Sequence, residues 1–167
     1  HPAAAIITNI DKEHLDFYKN FAGVKKAFLG FISNIKEGGL LVLNKDNKNI
    51  VDLKSKISPI AKKKKLKVVW YSVKDDKKIK LKKYLQVYGL HNLSNAIGAY
   101  TLAKNLKVKE SSIQKALAGF TGTWRRMELV GKFVNADVYD DYGHNPAKAA
   151  AALEGLREKY PKDKIVC

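Results

Sequence analysis

The chain has 167 residues, of which 46% are hydrophobic, so it suits one domain, or one domain plus part of another, and is too apolar for a disordered tail. Lysine and arginine number 32 against 16 acidic residues, and the resulting formal charge of +16 makes nucleic acid one partner to consider. Cys167 is the sole cysteine, which excludes an internal disulfide and a multi-cysteine zinc site and favours a reducing, cytoplasmic location.

The basic residues are mostly lysines scattered between Lys54 and Lys83. They lack the aromatic and glycine platform of an RNA-binding sheet and the density of an arginine stripe. A lysine-rich solvated surface is therefore the preferred interpretation, and no nucleic-acid partner is expected. No run of about 18 apolar residues occurs, so no membrane partner is expected either. The sequence leaves the oligomeric state open.

The first half of the chain alternates strands with helices. A strand is predicted from Ala3 to Ile10, with the polar pair Thr8-Asn9 near its carboxyl end, where α/β sheets bind ligands. Apolar residues then recur at spacings of three and four from Phe21 to Ile35, which predicts a helix, and Gly38-Gly39 is expected to end it. Leu40 to Leu43 is the second buried strand.

Asp52 to Lys63 is predicted to be a short helix, stopped or bent near Pro59 because proline lacks an amide donor. Lys67 to Val73 is the third strand, and Lys80 to Val87 is a possible edge strand. The order strand, helix, strand, helix, strand predicts an α/β fold with a mostly parallel sheet flanked by helices.

A predicted helix from Asn95 to Asn105 follows, and Ser111 or Ser112 is expected to cap the next helix. The polar, glycine-containing stretch 121–123 is the best domain boundary. Residues 1–121 and 122–167 are therefore predicted to belong to different domains.

Beyond this boundary two further strands and a helix are predicted. Met127 to Phe133 and Ala136 to Tyr139 read as strands joined at Asn135. An alanine-rich helix runs from Pro146 to about Tyr160, and proline suits its first position because the missing donor would be unpaired there anyway.

His14 is the first candidate for site chemistry. It lies between Glu13 and Asp16 after the first strand, where a neutral imidazole could ligate a divalent metal and the acids could orient it. Acidic residues also suit the start of a helix because of its dipole, and that alternative stays open.

Asn92 and Asn95 lie three residues apart at a helix start, so both side chains can face one pocket. The paired donor and acceptor of asparagine suit the edge of a purine. Helix capping and simple surface polarity are the alternatives.

Three candidates come from the last third of the chain. Arg126, in the pair Arg125-Arg126, could bind phosphate bidentately or form a surface ion pair with Glu128. Asp141 could accept hydrogen bonds from ribose hydroxyls or cap the helix at Pro146. His144 is either a substrate contact or a polar residue near that helix.

Four segments, in this order, resemble motifs of the Mur ligases. They are Thr8-Asn9-Ile10 with Glu13-His14-Leu15-Asp16, Gly89-Leu90-His91-Asn92 with Asn95-Ala96, Arg125-Arg126 with Glu128, and Asp140-Asp141-Tyr142 with His144. The resemblance spans nearly the whole chain and is nearest to the alanine-adding branch of the family. It implies the late part of a P-loop-type central domain followed by the start of a Rossmann-like C-terminal domain.

The resemblance implies a ligase that uses ATP and Mg²⁺ to join L-alanine to the carboxylate of UDP-N-acetylmuramate in peptidoglycan synthesis. His14 would hold magnesium, Asn92 and Asn95 would line the adenine site, Arg126 would reach the phosphates and Asp141 would hold the ribose. Lys26 is a weaker candidate: several members of the family carry a carbamylated lysine in this helix as a second magnesium ligand, although the alanine-adding branch generally lacks it.

The family's phosphate-binding loop of Gly-x-x-Gly-Lys-Thr type is absent from the sequence and is expected before residue 1, so the chain is expected to be an inactive piece of a longer enzyme. The segment Gly143 to Pro146 is closer to cyanophycin and folylpolyglutamate synthetases than to the alanine-adding enzymes. A muramyl tripeptide ligase or one of those synthetases is therefore the alternative within the family. A basic nucleic-acid-binding module or a non-catalytic relative is the alternative outside it.

Overall fold

The computed structural model describes all 167 residues. It contains five β-strands, eight α-helices and two short 3₁₀ turns. The strands are β1 (Ala4–Ile7), β2 (Leu40–Asn44), β3 (Lys67–Tyr71), β4 (Glu128–Phe133) and β5 (Ala136–Asp140). The helices are α1 (Leu15–Tyr18), α2 (Phe21–Ser33), α3 (Lys48–Asp52), α4 (Lys54–Lys63), α5 (Asp76–Ile79), α6 (Leu90–Asn105), α7 (Glu110–Ala118) and α8 (Pro146–Lys159).

The first three strands form a parallel sheet in the order β1-β2-β3, which confirms the predicted α/β fold. Ala4 of β1 lies opposite Leu40 of β2, and Leu40 lies opposite Lys67 of β3. Every residue of β2 is buried, as expected for a central parallel strand with helices on both faces.

The side chains on the two faces of β2 belong to two separate hydrophobic cores. Leu41 and Leu43 pack with Ile32 of α2 and Ile57 of α4 on one face. Leu40 and Val42 pack with Tyr71, Leu93 and Ile97 on the other, where α6 covers the sheet. Alternation of side chains along a strand explains this division, and it produces a three-layer arrangement of helix, sheet and helix.

The last elements form a smaller unit. Strands β4 and β5 pair as an antiparallel hairpin with a register shift between Leu129 and Gly131, which confirms the two predicted strands. Helix α8 follows the hairpin and lies against α6. Below, residues up to the end of α7 are called the N-terminal part, and β4, β5 and α8 the C-terminal part.

The predicted edge strand from Lys80 to Val87 is wrong. The segment forms helical turns instead, with α5 at Asp76–Ile79 and a 3₁₀ turn at Lys82–Tyr84. The Asp76 carboxylate accepts hydrogen bonds from the backbone N–H groups of Leu81, at 2.6 Å, and Lys82, at 3.2 Å. These bonds curl the chain around the fully buried Leu81 side chain, so no extended edge forms.

Three predicted helix boundaries are also corrected. Pro59 lies inside α4 and does not stop it. Proline has no N–H to donate to the Ser55 carbonyl, but Ser55 and Pro59 are both exposed, so water can bind that carbonyl instead. Helix α6 begins at Leu90 rather than Asn95, and α7 begins after Lys109 rather than at a serine cap.

Helix α2 ends at Ser33, before the glycines, because the Asn34 N–H already closes its last turn. No helix of the protein is both long and apolar enough to span a bilayer.

Candidate functional site

The candidate site lies at the carboxyl edge of the parallel sheet, where ligands bind in open α/β folds. A cavity of about 920 Å³ opens there between the loop after β1, the end of β2, the start of α6 and the C-terminal part. Four of the predicted site residues line this cavity together: Asn92, Asn95, Arg126 and Asp141. Residues far apart in the chain are thus gathered around one space large enough for a nucleotide.

Asn92 and Asn95 are both within α6, in its first two turns, because the helix starts at Leu90. Gly89 precedes the helix with a φ of 93°, a conformation that favours glycine. The Asn92 amide donates to the Tyr88 carbonyl at 2.7 Å, so part of its hydrogen-bonding capacity serves the helix start. Asn95 is exposed to the cavity and makes no side-chain hydrogen bond within the chain, which leaves its donor and acceptor available.

Asp141 is held firmly by the backbone. Its Oδ2 accepts from the Met127 N–H at 2.9 Å and its Oδ1 accepts from the Gly143 N–H at 2.7 Å. Arg126 approaches the same carboxylate only loosely, with Nη1 3.8 Å from Oδ1. The carboxylate is therefore oriented without being saturated, since two oxygens offer about four acceptor positions.

The two adjacent arginines have different environments. Arg125 forms an ion pair with Asp140, Nε to Oδ2, at 2.9 Å, and its backbone N–H donates to Glu128 at 2.7 Å. Arg126 has no such close partner and 44% of its side chain is exposed. From the sequence, a surface ion pair between the arginines and Glu128 was the alternative to phosphate binding. Glu128 instead accepts a hydrogen bond from the Arg125 backbone N–H, so the Arg126 guanidinium is available to bind an anion in the cavity.

The turn that presents Arg126 is strained. The φ angles are 53° at Arg125 and 47° at Met127, a left-handed conformation that non-glycine residues seldom adopt. The Glu128 carboxylate on the Arg125 N–H and the Asp141 carboxylate on the Met127 N–H stabilise this backbone. Local strain of this kind persists only where the surroundings fix it, as at binding sites.

His14, Lys26 and His144 do not line the cavity. His14 is exposed, has a φ of 54° and precedes α1, while its neighbours Asp11 and Glu13 do reach the cavity wall. His144 contacts the Tyr142 carbonyl through Nδ1 at 3.1 Å and packs edge-on against its ring. Lys26 is exposed on α2.

The described residues contain no cluster of three or more histidine, cysteine or acidic groups poised around a metal. Magnesium commonly takes one or two protein ligands and completes its shell with water and substrate phosphates. The exposed His14 imidazole and the cavity-lining Asp11 and Glu13 carboxylates are the groups of the loop after β1 that such an ion could contact.

A buried polar network at the ends of the strands was not predicted. Asn44 is 7% exposed; its Nδ2 donates to the Thr8 carbonyl at 2.9 Å and to Ser94 Oγ at 3.3 Å, and its Oδ1 accepts from the Asp46 N–H at 2.9 Å. The Asp46 carboxylate in turn accepts from Ser72 Oγ at 2.7 Å. This network joins the ends of all three strands to α6. A polar residue ending the apolar run Leu40 to Leu43 was its visible signal.

His91 is a second residue that the sequence reasoning left without a role. It is half-buried in the cavity wall, inside the same segment as Asn92. Burial lowers the pKa of His91, the Asp141 and Glu154 carboxylates oppose this shift, and Arg126 adds to it. The ring is therefore biased towards its neutral form at neutral pH.

Helix α8 is fastened to the N-terminal part at both ends. At its start, Glu13 Oε1 accepts from Asn145 Nδ2 at 2.8 Å and pairs with Lys148 Nζ at 2.5 Å; we call these three residues the N-terminal clasp. At its end, Glu158 pairs with Lys82 at 2.8 Å and accepts from the Gly89 N–H at 2.9 Å, which forms the C-terminal clasp. Hydrogen bonds from Lys148 and from Lys82 lower the pKa of Glu13 and of Glu158, respectively.

Between the clasps the two parts approach closely. A Cβ added at Gly89 would lie 3.3 Å from the Gly155 Cα, and one added at Gly155 would lie 3.3 Å from the Tyr88 carbonyl oxygen. The absence of side chains at both glycines therefore lets α8 lie directly on the start of α6. Arg126 and Asp141 of the C-terminal segment line the same cavity as Asn92 and Asn95 of α6.

Two family models match the chain. Residues 1–103 match the Mur ligase middle domain, and residues 125–167 match the Mur ligase, glutamate ligase domain. Curated relatives include the UDP-N-acetylmuramate–L-alanine ligases of Aquifex aeolicus, 34% identical over 99% of this chain and 40% of the relative, and of Bartonella henselae, 35% identical over 92% and 37%. The chain thus spans about 40% of the length of the relatives it matches.

Solved structures share the fold. MurF from Acinetobacter baumannii superposes with a TM-score of 0.68 at 21% identity, covering 93% of this chain and 37% of that one. The apo form of L. casei FPGS superposes with a TM-score of 0.72 at 13% identity, covering 99% of this chain and 44% of that one.

Proposed function

The chain belongs to the Mur ligase family, and we propose that it forms the nucleotide-clamping portion of an ATP-dependent ligase that joins L-alanine to UDP-N-acetylmuramate. The observation that carries the proposal is the single cavity lined by Asn92, Asn95, Arg126 and Asp141. The names of the curated relatives support the choice of L-alanine and the muramyl nucleotide as substrates.

We assign residues 1–121 to a central ATP-binding domain and residues 122–167 to the beginning of a C-terminal domain. The separate family-model matches on either side of residues 104–124 support a boundary in this stretch. Each domain then contributes half of the nucleotide site, with Asn92 and Asn95 on one side and Arg126 and Asp141 on the other. Domain closure would assemble the site and exclude water from it.

The four residues suit the parts of ATP. The Asn95 amide, with no partner in the chain, can pair with the donor and acceptor edge of adenine, and Asn92 would flank it. Asp141, held by two backbone N–H groups, has lone pairs left to accept from ribose hydroxyls. Arg126 carries a permanent positive charge and would bind phosphate oxygens through its planar fork of N–H donors.

The proposed reaction has two steps. A carboxylate oxygen of the muramyl substrate attacks the γ-phosphorus of ATP, which forms an acyl phosphate and releases ADP. The amine of L-alanine then attacks the acyl carbon, so that a C–N bond forms, the C–O bond to phosphate breaks and the amine loses a proton. Arg126 would offset the negative charge that accumulates while two anions meet.

His14 would supply one ligand to a magnesium ion, whose positive charge would lower the cost of bringing phosphate and carboxylate together when it is bound. His144 lies two residues before the start of α8 and does not line the cavity, and we propose it only as a weak substrate contact. Lys26 stays a minor proposal as a carbamylated second ligand, because its exposed position on α2 suits a solvated lysine equally well.

The test is substrate-stimulated phosphate release by the intact protein that carries this chain. We expect ATP turnover to require both UDP-N-acetylmuramate and L-alanine, and Arg126→Ala to lower kcat/KM by about 100-fold, as removal of a transition-state donor typically does. Arg157→Ala is the matched control, because Arg157 binds carbonyl groups beyond α8 and lies outside the cavity. Unfolding midpoints near the wild-type value would show that both variants fold.

Turnover of Arg126→Ala within about threefold of wild type would refute the role of Arg126, because loss of a charged hydrogen-bond donor costs far more. Stimulation by a free tripeptide or by another amino acid, in place of L-alanine, would keep the ligase and correct its substrate. Absence of any substrate-dependent turnover in the intact protein would overturn the proposed function.

A further inference from the structure

Glu13 stands directly before His14 in the chain, yet its side chain engages the other part of the protein. One oxygen, Oε1, accepts the Asn145 amide at 2.8 Å and pairs with the Lys148 ammonium at 2.5 Å. The two contacts join positions 132 and 135 residues apart, counting from 13 to 145 and from 13 to 148. Glu13 therefore connects the loop after β1 to the first turn of α8.

The geometry of Asn145 makes this contact specific. Its Oδ1 accepts from the Lys148 N–H at 2.8 Å and so caps α8, while its Nδ2 donates to Glu13. The Glu13 carboxylate thus sits at the amino-terminal end of a 14-residue helix, where the helix dipole favours negative charge. A shift of α8 along or away from the β1 loop would break the cap-supported hydrogen bond and the ion pair together.

The surroundings make the pair stronger than an ordinary surface ion pair. The Lys148 and Glu13 side chains are 31% and 33% exposed, whereas the pair Lys65–Glu37 is 76% and 62% exposed. Partial burial reduces screening by water and salt. All three members of the N-terminal clasp line the cavity, so the clasp forms part of its wall on the side of the β1 loop.

We propose that Glu13 is a positioning residue that holds the C-terminal part closed over the nucleotide through Asn145 and Lys148. Its carboxylate fixes the start of α8, and the hairpin before α8 carries Arg126 and Asp141 to their places opposite Asn92 and Asn95. This role differs from orienting the His14 imidazole, the role its place in the sequence suggested. The inference rests on the proposed function in that closure is read through ATP binding and ligation.

The test is a charge exchange in the intact protein, with AMP-PNP as the probe for binding and phosphate release as the probe for turnover. Lys148→Glu places two carboxylates together, and we expect the AMP-PNP Kd to rise about tenfold and kcat/KM for ATP to fall by a similar factor. Glu13→Lys places two ammonium groups together, and we expect it to weaken AMP-PNP binding and lower kcat/KM to a similar extent. The double variant Glu13→Lys with Lys148→Glu restores an ion pair of reversed sign but removes the Glu13 acceptor of Asn145 Nδ2, so we expect it to recover part of both losses.

Lys162→Glu is the matched control, because Lys162 is exposed just after α8 and makes no ion pair or hydrogen bond. It changes the net charge equally and should leave AMP-PNP binding within about twofold of wild type. Thermal unfolding of each variant separates loss of closure from loss of fold. A direct substrate contact by Lys148, or a role of Glu13 confined to the metal, predicts that the double variant stays as impaired as the singles.

The outcomes separate the clasp from the ligase. If wild-type turnover is normal and Lys148→Glu leaves both Kd and kcat/KM unchanged, or if the exchange fails to recover them, the clasp proposal is overturned and the ligase proposal stands. If the wild-type protein shows no muramyl-dependent turnover but its AMP-PNP affinity follows the charge exchange, the clasp is supported and the ligase assignment fails.

Discussion

Replacement of Asn44 tests whether the buried network at the sheet edge organises the site. Asn44→Ala removes three side-chain hydrogen bonds, to Thr8, Ser94 and the Asp46 N–H. At about 0.5–1.5 kcal/mol for each bond, and with buried groups left unpaired, the unfolding free energy should fall by about 2–4 kcal/mol. Urea denaturation followed by circular dichroism measures this difference.

Asn44→Asp sharpens the same prediction. It keeps an acceptor for the Asp46 N–H but turns a carboxylate oxygen towards the Thr8 carbonyl, 2.9 Å from the present amide nitrogen. Burial would raise the pKa of the new carboxyl, so the variant should be less stable at pH 7 than at pH 4, relative to wild type.

Asn105→Ala is the control, since it loses one bond, to Thr101 of its own helix. If Asn44→Ala costs no more than this control, or less than about 0.5 kcal/mol, the reasoning fails.

Gly98→Ala should lower stability by about 1–3 kcal/mol, because its Cβ would lie 2.7 Å from the Ile6 Cδ1 and 2.9 Å from the ring of the buried Tyr71. The hydrogen bond from Lys82 lowers the folded-state pKa of Glu158, so the stabilisation it gives over Glu158→Gln should be complete at pH 7 and lost as the pH falls through that lowered pKa, as measured by urea titrations. Asp141→Asn should raise the Kd for ADP about tenfold in isothermal calorimetry, because an amide nitrogen would face the Met127 N–H or the Gly143 N–H that the carboxylate now accepts.

Each of these predictions has a result that contradicts it. Gly30→Ala, where a Cβ would meet nothing within 4 Å, should be neutral or stabilising, and equal behaviour of Gly98→Ala would show that α6 can move off the sheet. Equal unfolding free energies of wild type and Glu158→Gln at pH 7 would show that the carboxylate does not hold the C-terminal clasp. Unaltered ADP affinity in Asp141→Asn, with Asp163→Asn as an exposed control, would exclude a ribose contact.

The sheet and the site edge could be predicted because their signals are local. Leu40 to Leu43 is an unbroken apolar run bounded by Gly38-Gly39 and by the polar turn after Asn44, a pattern typical of a buried parallel strand. The residue types at Asn92, Asn95, Arg126 and Asp141 matched a known motif order, and the fold does gather them. Their individual roles with ATP remain predictions.

The errors have equally definite causes. The sequence predicts a possible edge strand from Lys80 to Val87, but the Asp76 carboxylate binds backbone N–H groups five and six residues ahead and folds the segment into turns. The predicted start of α6 at Asn95 is five residues too late, because Gly89 takes the positive φ that lets the helix begin directly after it, at Leu90. The contact of Glu13 with α8 spans 132 residues and leaves no trace in any short window of sequence.

Because the two clasps differ in exposure, the two ends of α8 should detach from the N-terminal part in a fixed order. Lys82 and Glu158 are 64% and 34% exposed, so added salt screens the C-terminal clasp before the more enclosed pair at Glu13. Rising ionic strength should therefore free the far end of the helix first and leave Glu13 as the pivot. The C-terminal part would then rotate about the β1 loop, and the widest gap would open beside Gly89, at the start of the helix that carries Asn92 and Asn95.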